Sequence, residues 1–181
     1  MSSSSLHGSC FCKKIQLELS GEPHAIALCH CTDCRKISGS VYTLNFIVST
    51  ADLKISGSSP AENPKTSDSG KRYVNYFCKD CGKFCFLPPI PPLPCLSPPI
   101  TNPTKKRKIT NLWLAIGSPL YGGAVDESGK LQTAVVRAGC FDDLEVLKGK
   151  KPSVEIYTAQ RMEWILPVEG AAQFEGMLPA R

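Results

Sequence analysis

Seven of the ten cysteines in this 181-residue chain stand in tight spacings. Cys10 and Cys12 are separated by one residue, Cys29, Cys31 and Cys34 fall within the six residues CHCTDC, and Cys78 and Cys81 sit in FCKDCG. Such spacings are those of metal ligands, because neighbouring thiolates converge on one ion. Cys10 and Cys12 with the distant Cys78 and Cys81 make the four thiolates that a tetrahedral structural zinc requires. Each half is a short knuckle with no local partner. The middle cluster supplies three. In an extended strand residues i and i+2 share a face, so Cys29 and Cys31 converge while His30 points to the other side. His30 is therefore expected to pack or hydrogen-bond behind the metal strand rather than to ligate. A plainer reading stays open on spacing alone: one all-thiolate zinc site and three buried free thiols, since free cysteine is among the most buried residue types.

The elements that must position these residues read mainly as short strands. IQLEL, Ile15 to Leu19, alternates apolar and polar. AIALCHC, Ala25 to Cys31, and VYTLNFIV, Val41 to Val48, read as strands, followed by a short LKIS near Leu53 and a polar loop over 56–70. RYVNYF, Arg72 to Phe77, and TAVVRA, Thr133 to Ala138, are further strands, and DDLEVL, Asp142 to Leu147, is the one helical turn, with acidic residues at its start. A chain of this length with 42% hydrophobic residues makes one domain with a real core. MSSSSLHGSC has no basic segment followed by an apolar one, and no apolar run approaches a membrane span. The expectation is a cytoplasmic protein with no membrane partner, whose cysteines bind metal rather than form disulfides.

The net charge of +5 has a local source. Residues 83–117 hold Lys83, Lys105, Lys106, Arg107 and Lys108 and no acidic residue, which leaves 16 basic against 16 acidic side chains elsewhere. A neutral main body gives no basis for expecting nucleic acid as a partner.

GSCFCKKIQLEL, CHCTDCRKISGS, FCKDCG and EIYTAQRMEWILPVEGAAQF resemble successive motifs of the glutathione-dependent formaldehyde-activating enzyme family, which includes centromere protein V; the carboxyl-terminal part is most similar to fungal members. The resemblance implies a β-tent zinc-binding fold of short antiparallel strands in a single domain. It implies two Zn2+ per chain: a structural zinc on Cys10, Cys12, Cys78 and Cys81, and a catalytic zinc on Cys29, Cys31 and Cys34 with its fourth position open. The function implied is that of a carbon-sulfur lyase or synthase, adding a small-molecule thiol such as glutathione to formaldehyde or a related aldehyde to give S-(hydroxymethyl)glutathione. The alternative is a non-enzymatic zinc-scaffold binding module related to centromere protein V. Arg35 and Lys36 follow the third ligand, where they attract the carboxylates of glutathione or stand as solvated charges. Two departures bear on the substrate rather than on the metal: Lys13 stands where members often have glycine, and Asn75 where a basic residue is often expected. Cys140 is expected to be a small buried packing residue.

Residues 83–117, KFCFLPPIPPLPCLSPPITNPTKKRKITNLWLAIG, hold eight of the 15 prolines and two unmatched cysteines, Cys85 and Cys95. Without them the chain runs FCKDCGSPLYGG, as the family is expected to continue after its second knuckle. The segment therefore reads as a retained intron in the gene model, interrupting a single domain that spans 1–181. Rival readings are a polyproline linker or groove ligand, and a nuclear localisation signal at KKRK, which would make the protein nuclear. A translated loop of this length costs only about 3 kcal/mol to close, so the domain tolerates it, although KFCF competes with SPLY for the strand beside the second knuckle.

Overall fold

The computed structural model describes residues 5–81 and 117–178. The alternation in IQLEL becomes strand β2 (Ile15–Leu19), with Ile15, Leu17 and Leu19 buried. It pairs antiparallel with β1 (Leu6–Ser9) on one side and with β5 (Leu53–Gly57) on the other, a three-stranded sheet. The larger sheet contains β3 (Ala25–Cys29), β4 (Thr43–Ser49), β6 (Ala61–Thr66), β7 (Arg72–Phe77), β8 (Pro119–Ala124), β9 (Thr133–Arg137), β10 (Val154–Ile156) and β11 (Ala172–Phe174). Its order is β11-β10-β3-β4-β9-β8-β7-β6. The fold is mainly β, of short antiparallel strands in a single domain, and β10 alone runs parallel, to both β3 and β11.

One continuous core joins the two sheets. Phe46 and Val48 of β4, Leu120 of β8, Ala134 and Val136 of β9 and Phe141 meet the buried face of β2. Phe46 is fully buried, with its ring centroid 5.2 Å from that of Phe141. Truncating such a residue to alanine costs about 3–5 kcal/mol, so this layer dominates the packing of the domain. A smaller cluster forms around Cys29, Cys34 and Ile156.

The strands β2 and β7 have the bounds expected from sequence, whereas β4 runs Thr43–Ser49 instead of Val41 to Val48, β9 ends at Arg137 instead of Ala138, and three further regions differ more. The strand expected over Ala25 to Cys31 stops at Cys29, and the chain turns into helix α1 (Thr32–Ser38). Within the expected polar loop over 56–70 lies β6. Its sequence AENPKT is exposed almost throughout and pairs only with β7, a polar edge strand in which proline is tolerated. The helical turn expected at Asp142 to Leu147 begins two residues later, as α2 (Leu144–Gly149). Of the insert at 83–117, only Gly117 is among the described residues; the KKRK run, Cys85 and Cys95 lie outside them. The strand after the second knuckle, β8, begins at Pro119, within SPLY.

Candidate metal centres

Cys10 follows β1 and Cys78 follows β7, so two strand ends deliver the halves of one four-cysteine cluster. In the first knuckle Cys10 N donates to Ile15 O at 3.0 Å and Lys13 N to Cys10 O at 2.8 Å. Lys13 has φ 60, the left-handed region that favours glycine, which accords with the glycine expected there from the family resemblance. In the second knuckle Cys78 N donates to Ser118 O at 3.0 Å. The sulfur of Cys12 lies 3.6 Å from that of Cys10, 3.7 Å from Cys78 and 3.4 Å from Cys81. A tetrahedron with metal–sulfur bonds of about 2.3 Å has edges of about 3.8 Å, so these four donors fit a zinc ion with only small adjustment. Burial raises the Cys81 thiol, but hydrogen bonds from Ser118 and Cys12 N outweigh it and bring the pKa down to about 6. Lys14 Nζ pairs with Asp80 at 3.1 Å and ties the knuckles together on the outside.

The three-cysteine cluster is built from one short stretch. Cys29 is the last residue of β3, and Cys31, in extended conformation, is the N-cap of α1. Its Sγ accepts from Cys34 N at 3.3 Å, while Cys34 lies in the first helical turn. The three sulfurs lie within 4.8 Å of one another. The convergence expected from sequence is present, but a strand end and a helix cap produce it rather than one continuous strand. Helix α1 went unforeseen, although Thr32 and Asp33 at its start and the left-handed Gly39 (φ 69) after its end are ordinary helix punctuation. Hydrogen bonds from Cys29 and then Cys31 hold the Cys34 thiol far down, at about 2, helped by the charge of Arg137 and by Thr43. The same bonds to Cys31 and Cys34, followed by burial, push Cys29 up.

His30 is fully buried and its Nε2–H donates to Glu155 Oε1 at 2.6 Å, as expected of a residue backing the metal strand. The carboxylate comes from β10, in register with Leu28 of β3. Its Oε2 accepts from Gln173 Nε2 at 2.7 Å and Val168 N at 3.1 Å, and Arg161 Nη1 is 3.3 Å from Oε1. Burial opposes ionisation of Glu155, yet these donors outweigh it and hold the pKa at about 2.

Sequence reasoning missed Arg137. It ends β9, is buried, and reaches Cys34 Sγ at 3.9 Å while its Nη1 donates to Asn45 Oδ1 and its Nη2 to Asn75 Oδ1 at 3.4 Å. The available signal was an arginine inside TAVVRAGC, a run whose neighbours are all apolar or small after its first residue. Arg137 lines two cavities. One, of about 560 Å³, is also lined by Thr43, Tyr42, Ser118 and Cys140. The other, of about 310 Å³, is also lined by Lys36, Asn75 and Tyr121. None of Cys29, Cys31 and Cys34 lines either one, and the link from cavity to cluster is Arg137 with Thr43. Arg35 is spent locally, its Nη2 donating to Thr32 Oγ1 at 3.3 Å, whereas Lys36 is exposed. Cys140 is buried and its thiol donates to Pro119 O at 3.1 Å, as a packing residue should.

Both clusters have the donor chemistry of zinc sites, and every cysteine among the described residues is free. No helix among the described residues is long and apolar enough to cross a membrane. Residues 5–90 match the family model described as glutathione-dependent formaldehyde-activating enzyme. No curated protein matches the chain. Among solved structures, a crystal structure of a Rhodobacter sphaeroides protein is similar with a TM-score of 0.43 and 11% identity, over 93% of this chain and 99% of that one. The family match spans all seven clustered cysteines.

Proposed function

We propose, from the match of residues 5–90 to the glutathione-dependent formaldehyde-activating enzyme family model, that this protein is a zinc-dependent carbon-sulfur lyase or synthase of the S-(hydroxymethyl)glutathione synthase type. The observation that carries the reading is the difference in donor number, four sulfurs in one cluster and three in the other. Cys10, Cys12, Cys78 and Cys81 would hold a structural zinc, and Cys29, Cys31 and Cys34, supplying three donors, would hold a second open to a substrate ligand. Bound there, zinc would supply ionisation of a substrate thiol near neutral pH and Lewis-acid polarisation of a carbonyl. In the addition the thiol sulfur forms a bond to the aldehyde carbon. The carbonyl π pair moves to oxygen, and the proton lost by the thiol ends there; the reverse sequence cleaves the carbon-sulfur bond.

The chain's own residues supply the frame. The end of β3 and the cap of α1 fix Cys29 and Cys31, and the His30–Glu155 pair holds that strand end from behind. Lys36, exposed at the rim of the 310 Å³ cavity, is positioned to attract a carboxylate of glutathione. Cytoplasmic location suits the reading, because both clusters require reduced thiols.

The test compares glutathione with S-methylglutathione by calorimetry on the zinc-loaded protein. A free thiol that becomes the fourth ligand should bind at least about tenfold tighter, or about 1.4 kcal/mol. Equal affinity would contradict the open position and favour a zinc-scaffold binding module.

A further inference from the structure

Arg137 is a buried cation without a carboxylate. It is 8% exposed, its hydrogen-bond partners Asn45 and Asn75 are neutral amides, and no acidic side chain pairs with it among the described residues. A buried charge needs a compensating one. Of the other ionisable groups that face it, Tyr73 and Cys140 are both pushed up to about 12 by burial and stay neutral. That leaves the sulfur of Cys34, 3.9 Å away. Three thiolates around a divalent cation carry one net negative charge, and one guanidinium cancels it. The neutral amides follow from the same logic, because an aspartate at 45 or 75 would pair with Arg137 and draw its charge away from the sulfur.

We propose that Arg137 is the built-in counter-ion of the three-cysteine metal centre, a positioning residue that acts through Cys34 and sets how tightly this site holds its metal. The proposal rests on the metal reading of that cluster and not on any substrate. The test is a Co2+ titration of the full chain against a chelator, followed by sulfur-to-cobalt charge-transfer absorption, for wild type, Arg137→Met and Arg137→Lys. Arg137→Met should weaken one of the two Co2+ equivalents by about 10–100-fold and leave the other unchanged. Arg137→Lys should restore part of the loss. Unchanged Co2+ affinity in Arg137→Met, or equal weakening in the Met and Lys variants, would overturn the counter-ion role. Uptake of a single Co2+ by wild type would overturn the metal reading and this proposal together.

The four-cysteine cluster carries an independent inference. Its first knuckle closes with Cys10 N donating to Ile15 O, five residues on, and its second with Cys78 N donating to Ser118 O, forty residues on, both at 3.0 Å. Counted from Cys81 directly to Gly117, Ser118 also becomes the fifth residue after Cys78. Gly117 is buried, and a Cβ added to it would lie 1.8 Å from Cys78 O, so the position admits only glycine. Because Gly82 and Gly117 are both glycine, removing 82–116 or 83–117 yields the same sequence, FCKDCGSPLYGG. We infer that 82–116 interrupts one compact knuckle whose glycine is Gly117, and that Cys81 can be joined straight to Gly117. A chain lacking 82–116 and one with a Gly/Ser linker of equal length in its place should both fold and bind two Co2+ equivalents. Loss of an equivalent in the direct join, whether or not the linker variant retains it, would overturn the inference.

Discussion

The two cysteine clusters solve different problems. The four-cysteine cluster draws its ligands from opposite ends of the first 81 residues, and Cys12 and Cys81 reach the surface among exposed Lys13 and Lys14. The three-cysteine cluster comes from one hexapeptide and is surrounded by buried polar groups: His30 and Glu155 behind it, Arg137, Asn45 and Asn75 beside it. A site that staples distant strands needs ligands and little else. A site that keeps a position open must hold its ligands and its charge fixed by a supporting layer. The clusters thus differ in the polar side chains buried around them as well as in cysteine count, and on the proposed reading that supporting layer belongs to the open centre.

The largest effect should come from the staple. Cys81→Ser removes a ligand whose binding energy is also folding energy, and we expect loss of about 5 kcal/mol or more, read as a much lower unfolding temperature and loss of one zinc. Loss of the zinc with unchanged thermal stability would contradict the structural role.

Next is the support behind the three-cysteine cluster. Glu155→Gln leaves Arg161 and His30 without their carboxylate, and should cost about 3–5 kcal/mol in chemical denaturation. The same carboxylate sets an acid limit. Its folded pKa, about 2, lies below that of an unfolded glutamate, so its contribution is complete above about pH 4.5 and is lost as pH falls toward 2. Glu155→Gln should flatten the stability-versus-pH curve in that window; an unchanged acid slope would count against the pair.

The smallest effect belongs to the first knuckle. Lys13→Gly relieves a left-handed residue and should raise stability by about 0.5–1 kcal/mol without changing zinc content. A destabilised Lys13→Gly would mean that the lysine side chain contributes more than its backbone costs.

What the sequence made legible follows from range. Cysteine spacing and strand alternation are local signals, so both clusters, β2 and β7 could be read directly. Edge strand β6 was hidden because pairing with β7, not its polar composition, makes it a strand. Helix α1 had ordinary punctuation in Thr32, Asp33 and Gly39, but its N-cap is a cysteine that also reads as a metal-strand residue. Arg137 and Glu155 were hidden because each gains meaning only from partners distant in sequence, Cys34 and Asn45 for one and His30 for the other.

The comparison turns on whether three ligands make a separate, open centre. Zinc content, unfolding temperature and thiol-dependent turnover of Cys34→Ala, each measured beside wild type, test this most directly. The account predicts two zinc ions falling to one, a fold that keeps most of its stability because both knuckles remain intact, and turnover abolished. Full activity in Cys34→Ala, or two zinc ions retained, would contradict it.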